Sequence, residues 1–433
     1  MRILLVASLF AISTLSATAQ TKKAVSGATV ERVLNTLAAD DMQGRPTAGP
    51  GNLKAAQFLA GEFKRIGLEP LPGATGFMQE FPAYETSVTS LTVTLNGAAL
   101  PPGQAVAITS QPQLNWTEKD GIEVLALGPN DKIQAHFQEI FRPTKNLLVL
   151  LDPAQQDMFQ RLAQQFGHPR LQTEAATNPY SSVLVLAAGP APSTFRVAAT
   201  TATKTLTLQN VVGYLPGRDK AHEAEKVIFS GHYDHLGFIK PVAGDSIANG
   251  ADDDASGTTA VVALAEYFKK RKNNARSLIF VAFTGEEIGG FGSRYFSQHL
   301  DPKELVAMFN IEMIGKVAKF GPKTAFITGY ERSDFGKLLQ ANLVGTDFKF
   351  EPDPYTEQNL FYRSDNATLA RLGVPAHSIS TDQIPTDKLY HSVDDEASSL
   401  DLKNMTNVIS AIALSATGIV AGKDTPTRVA PEK

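Results

Sequence analysis

Two short apolar runs rich in branched residues constrain this chain most. Val227-Ile228-Phe229 and residues 278–283 have the length and composition of strands buried on both faces. After Gln209 such runs alternate with helical stretches, which predicts a sheet with helices on both faces, a three-layer α/β architecture. Each run ends on a chemically loaded cluster. The first leads into Ser230-Gly231-His232-Tyr233-Asp234-His235, the second into Thr284-Gly285-Glu286-Glu287. Between them lies Asn249-Gly250-Ala251-Asp252-Asp253-Asp254-Ala255-Ser256-Gly257. In open α/β sheets the carboxyl ends of strands are where sites are built.

Further strands are expected at 210–215, 226–230, 307–311, 325–328 and 376–379, with helices near 335–343, 367–372 and 402–419. Residues 256–270 read as an amphipathic helix whose basic end, Lys269-Lys270-Arg271-Lys272, suits a helix C-terminus. Upstream, Val30, Leu34 and Leu37 share helical spacing, as do Ala56, Leu59, Phe63 and Ile66, with Gly67 as a stop signal. The character changes between 81 and 207. Leu91-Thr92-Val93-Thr94-Leu95 alternates like a strand, and apolar runs at 147–151 and 183–187 flank a helix at 155–166. This segment reads as an inserted β-rich module. Arg2, the apolar run 3–15 and Ala17-Thr18-Ala19 form an export-signal pattern. The expected order is a signal peptide at 1–19, a helical segment at 20–80 packed on the principal domain, the module at 81–207, the principal domain at 208–422 and a flexible tail at 423–433. Export to the periplasm or the medium follows, with no membrane anchor once the signal is removed.

A net charge of −4 gives no electrostatic case for nucleic acid or anionic membranes. The chain has no cysteine, so a metal site must use histidine and carboxylate. Burying this much carboxylate beside histidine is costly unless a cation neutralises it. A hydrolytic two-metal site needs a bridging carboxylate, terminal ligands on each ion and a nearby base. His232 and Asp234, the triple aspartate, Glu286-Glu287, Glu312 in Asn310-Ile311-Glu312-Met313 and His391 in Tyr390-His391-Ser392-Val393-Asp394 supply these in order.

Plainer readings exist for each piece. The aspartates would serve as an acidic cap for the following helix, and Glu286-Glu287 alone would be an exposed turn. His235 reads as a supporting or surface residue, His222 as solvated and His299 as a surface residue. His377 reads as a core histidine, and His136 and His168 as ordinary histidines of the module. There is no phosphate-binding Gly-Lys-Ser/Thr loop and no Gly-x-Ser-x-Gly elbow.

Taken together, the clusters resemble those of the M28 family of co-catalytic zinc metallopeptidases, over 210–419. The resemblance implies a phosphorylase/hydrolase-like catalytic domain with a mixed central sheet, two Zn2+ ions and peptide substrates. The module stands where some members carry a protease-associated domain. By position, the family pattern makes His232 and Glu312 ligands of one zinc, Glu287 and His391 ligands of the other, and Asp253 the bridge. It makes Asp234 the residue that orients His232, and Glu286 the general base. Tyr390 would assist the oxyanion, and Asp365 would support the His391 side. The bond between Asp253 and Asp254 resembles one that is often cis. Two departures stand out: Glu312 occupies a position where many relatives have Asp, and Asn366 one that commonly carries His. Aminopeptidase activity is the leading expectation. Carboxypeptidase or dipeptidase activity, a single-zinc glutaminyl cyclase, and a binding module with a decayed site are the alternatives.

Overall fold

The computed structural model describes residues 25–174 and 177–430. The expected signal peptide, 1–19, lies outside the described residues, as does the end of the expected tail, 431–433.

The central sheet has 11 strands and is mixed. Its middle is parallel: Ser277–Phe283, Lys226–His232, Leu305–Ile311 and Ala376–Ser380 lie side by side with the same direction. These strands are the branched runs read from the sequence, and Ser277–Phe283 and Leu305–Ile311 are buried at every position. Antiparallel neighbours flank them, Phe195–Leu215 on one side and Thr324–Ile327 on the other. Helices Gly27–Leu37, Pro50–Ile66, Gly257–Arg271 and Leu402–Ser415 share a core with one face of the sheet. The opposite face packs against Phe291–Gln298 and Asn366–Ala370. Each fully buried Phe or Leu in these layers contributes about 1.5–3 kcal/mol by leaving water.

Helix Gly257–Arg271 differs from the amphipathic expectation. It is buried from Gly257 to Phe268, and exposure begins only at its basic last turn. The reason lies in long-range packing: both N-terminal helices and Leu402–Ser415 cover what would have been its solvent face. Its start is equally close-fitting, because a side chain at Gly257 would meet the carbonyl oxygen of Ile311 at 2.0 Å.

Strands Met78–Leu95 and Phe195–Leu215 pair antiparallel from Met78↔Val211 to Leu95↔Phe195. They leave the central sheet as one ribbon and run unbroken through positions 80/81 and 207/208. The ribbon's far end packs on a second, 4-stranded sheet built from Ala105–Ile108, Ser182–Leu186, Leu147–Leu151 and Glu123–Leu127. Trp116, Val197, Leu148 and Val183 fill the space between them. Phe159 and Leu162 of helix Gln156–Phe166 cover the other face. Two of the three pairings in that sheet are parallel, so the segment is α/β as well as β-rich.

Candidate metal centre

His232 is the last residue of strand Lys226–His232, and Glu312 directly follows strand Leu305–Ile311. The two strands are parallel neighbours, so their ends deliver an imidazole and a carboxylate to the same edge. His232 Nε2 lies 3.2 Å from Glu312 Oε1 and 3.3 Å from Asp253 Oδ1. The other oxygen of Asp253, Oδ2, lies 3.3 Å from His391 Nε2, which is 3.2 Å from Glu287 Oε2. Asp253 therefore turns one oxygen to each of two histidine–carboxylate pairs.

These separations match metal ligation. Zinc–ligand bonds of about 2.0–2.2 Å at tetrahedral angles place donor atoms roughly 3.3–3.5 Å apart. His391 Nε2 is buried and forms no hydrogen bond, as expected of a nitrogen aimed at an ion. The donors are nitrogen and oxygen only, a set that suits zinc. The residues present fit the implied ions.

The aspartates of the triple run divide their work. Asp253 faces the two pairs. Asp254 binds backbone: its Oδ2 accepts from His232 N (3.1 Å), and its Oδ1 from Gly257 N and Met313 N (3.0 Å each). The helix-capping reading thus holds for Asp254 alone. Asp252 Oδ1 accepts from Gly315 N at 2.7 Å. Asp395 accepts from the backbone N–H groups of Asp252 and Asp253, both at 3.1 Å. The Asp253–Asp254 peptide bond is cis.

Asp234 reaches in two directions. Its Oδ1 lies 3.7 Å from His232 Nδ1 and accepts from Glu286 N at 3.2 Å. Thr47 Oγ1 donates to its Oδ2 at 2.8 Å. Glu286 and Glu287 occupy the turn after strand Ser277–Phe283, and both line a pocket of about 590 Å³ open to solvent. Met313, Phe326, Leu360 and Ile384 give that pocket apolar walls, and Tyr390 and Arg363 also line it. Tyr390 stacks on the His391 ring, with centroids 3.8 Å apart. Asp365 is buried, and its charge acts on Glu286.

Three residues gain roles that the sequence did not signal clearly. His235 is buried, which removes the surface reading, and its Nδ1 lies 2.7 Å from Glu287 Oε1 and 3.8 Å from Asp253 Oδ2. The shorter contact is a hydrogen-bond length, so His235 orients Glu287 while His391 stands at ligand spacing. Ser364 donates to Glu312 Oε2 at 2.5 Å and accepts from Asn310 Nδ2 at 2.8 Å, holding the carboxylate toward His232. Arg45 is fully buried in the loop before helix Pro50–Ile66. It donates to the carbonyls of Leu37, Tyr233, Asn249 and Gly250 at 2.6–2.8 Å. One guanidinium thus ties the segment after His232 to the segment before Asp252. The sequence offered a charged residue between Gly44 and Pro46 in a turn-forming loop, and the structure adds that its φ is 50°.

The other histidines lie apart from the centre. His377 is buried, contacting Thr328 O at 2.8 Å and Ser333 Oγ at 2.7 Å. His299 is exposed. His222 is half-buried beside Glu225, 3.0 Å away, rather than freely solvated. Asn366 donates to the carbonyls of Phe361 and Ala376, a structural task.

Protonation follows from the crowding. Burial alone would lower the His232 imidazole, but Glu312 and Asp253 hold it well above its ordinary value. Burial likewise opposes the charged form of His391, yet Asp253 and Glu287 raise it to about 10. Asp253 resists burial because His235, His232 and His391 surround it, and its carboxyl stays well below the usual range. Glu286 moves the other way. Burial, then the charges of Glu312, Asp365 and Glu287, push it well above the usual carboxylate range. Ion binding must displace the protons held by the histidines, so affinity rises with pH.

The fold and this edge cluster place the chain among α/β proteins built like the zinc aminopeptidases. The structure of an aminopeptidase from Aneurinibacillus sp. strain AM-1 superposes with a TM-score of 0.56 over 95% of this chain and 97% of that one, at 19% identity. A zinc aminopeptidase from Bacillus subtilis gives 0.54 over 92% and 95%, at 15% identity. Residues 210–416, just under half of the chain, match the model of peptidase family M28. Aminopeptidase YwaD of Bacillus subtilis (strain 168) is 31% identical over 112 residues, 25% of this chain and 22% of the relative. A probable zinc metalloprotease of Pyricularia oryzae is 39% identical over 92 residues, 21% and 17% respectively. The chain thus spans about a fifth of the length of these curated relatives.

Proposed function

We propose that the protein is an exported metallo-aminopeptidase that hydrolyses peptide bonds with two zinc ions. The observation that carries this reading is Asp253, whose two oxygens each face a separate histidine–carboxylate pair at 3.3 Å. His232, Asp253 and Glu312 would hold one ion, and Asp253, Glu287 and His391 the other. Bound zinc lowers the pKa of water and polarises a carbonyl.

The chain's own groups do the rest. Glu286 takes the proton of the attacking water and returns it to the leaving amine. Burial and the neighbouring carboxylates raise its carboxyl above the usual range, the direction that makes a carboxylate a better proton acceptor. Asp234 fixes the Glu286 backbone and faces His232, so base and ligand share one anchor. Tyr390 lines the pocket beside His391 and donates to the developing oxyanion. The acidic pocket attracts a free α-ammonium, and the apolar walls take the first side chain.

Carboxypeptidase action is a second reading with one observation in its favour. Arg363 is exposed and lines the same pocket, where it would pair with an α-carboxylate. Export rests on Arg2, the apolar run and Ala17-Thr18-Ala19. No described helix is long and apolar enough to cross a membrane.

The test combines zinc analysis with peptides blocked at either terminus. Cleavage of C-blocked and not N-blocked peptides is expected, with two zinc ions per chain. The opposite preference would establish the carboxypeptidase, and cyclisation of N-terminal glutamine without water uptake would establish the cyclase.

A further inference from the structure

Behind the Asp253 segment lies a second acidic cluster that the proposed reaction does not use. Asp252, Asp382 and Asp387 each present a carboxylate oxygen, and these oxygens lie within 4.8 Å of one another. They come from segments that carry or support the first centre. Asp252 precedes Asp253, Asp387 lies in the loop leading to His391, and Asp382 follows strand Ala376–Ser380. Lys316, downstream of Glu312, completes the group. Its Nζ is 2.5 Å from Asp387 Oδ2 and 3.3 Å from Asp252 Oδ2.

One ammonium does not balance this cluster. Three carboxylates and one lysine leave two negative charges, and backbone hydrogen bonds reach Asp252 Oδ1 and Asp387 Oδ1 but not Asp382. Asp382 is 3% exposed, and neither of its oxygens meets a donor. Asp252 Oδ2 is fully buried and meets the Lys316 ammonium at 3.3 Å without a hydrogen bond to it. Buried acceptors without donors are costly, and native proteins fill such places with protons, water or ions. Burial and the charge of Asp252 push the Asp382 carboxyl up to about 8, so near neutral pH either a proton or a cation must neutralise it.

We propose that Asp252, Asp382 and Asp387 form a third cation site, separate from the pair centred on Asp253. It takes a hard divalent ion of the calcium or magnesium class. The donor set is all oxygen, without the imidazoles of the first centre, and that chemistry selects hard cations over zinc. A doubly negative remainder is what a divalent ion neutralises. Lys316 keeps its hold on Asp387, so the bound ion joins the segments carrying Asp253 and His391 while the lysine joins that of Glu312.

The test uses the full chain loaded with zinc and desalted. Calcium chloride and magnesium chloride are titrated in by calorimetry and thermal unfolding, beside Asp382→Asn, Asp387→Asn and the exposed control Asp245→Asn. The wild type and the control should bind one further ion per chain, with a rise in Tm on the order of 2–4 °C at saturation. Either variant in the cluster should weaken that binding by about tenfold or more while zinc content is unchanged. Using two variants guards against one that fails to fold. Absence of saturable binding of both ions overturns the proposal. So does wild-type affinity in both variants, or release of zinc in step with calcium uptake. None of these readouts requires peptidase activity.

Discussion

His232 ends a buried strand and its side chain is 1% exposed, whereas His391 sits in a loop with φ of 58° and a side chain 35% exposed. Both nevertheless reach Asp253 at 3.3 Å. The first pair is positioned by the sheet: parallel strands fix His232 and Glu312, and Asp254 and Ser364 hold them by backbone and side chain. The second depends on a loop whose left-handed residue is uncommon for anything but glycine, steadied by Tyr390 stacking and by Asp395. One half of the centre takes both its ligands from strand ends in the core, and the other takes one of them from a partly exposed loop. Preformed ligands give tight sites, and loop-borne ligands give sites that fill last.

Asp253→Ala tests the shared point of the comparison and should have the largest effect. Both zinc ions should fall away and turnover should disappear. Metal analysis finding one ion at wild-type affinity would mean that the halves do not share this carboxylate. Glu286→Gln comes next. It should keep both ions and lower kcat by about 10²–10⁴-fold, and wild-type turnover would remove Glu286 from its role as base.

The halves themselves separate through His391→Ala and Ser364→Ala. His391→Ala should leave one zinc bound near wild-type affinity while the other is lost, because the sheet-held pair does not lean on the loop. Ser364→Ala should weaken only the His232 side, by about 10–100-fold, as loss of a ligand-orienting hydrogen bond does. Stepwise zinc titration reads both. Equal weakening of both ions in either variant would erase the distinction between the two halves.

The legibility of the chain follows the same divide. Strands such as Ser277–Phe283 were readable because burial on both faces leaves a continuous branched run, and the candidate ligands His232, Glu287 and Glu312 stand at or just after the ends of such runs. His235, Ser364 and Arg45 were not readable. Their roles depend on partners 52 residues away for His235 and Ser364, and as far as 205 for Arg45, and nothing local distinguishes a serine that holds a glutamate from one in a turn. The ribbon was missed for a related reason. Much of Phe195–Leu215 around Thr201–Leu206 has no buried face, so its alternation carries no hydrophobic signal. Helix Gly257–Arg271 misled in the opposite sense, since its outer face is covered by helices far away in sequence.

His377 offers the smallest and cleanest contrast. Like His232 it lies on a buried strand, but it faces Thr328 and Ser333 rather than carboxylates, and burial lowers its imidazole to about 4. A histidine depressed in the folded state costs nothing above the ordinary value near 6.5, where both states are neutral. As pH falls through 6.5 the unfolded chain takes up a proton that the folded chain refuses. Stability therefore declines down to about pH 4, where the folded chain titrates too. The loss from this residue is about 3 kcal/mol over that window. Urea unfolding of zinc-free protein at a series of pH values should reveal the slope, and His377→Gln should flatten part of it. An unchanged slope in that variant would mean that the buried imidazole is already charged, and that carboxylates are not what separates the site histidines from this one.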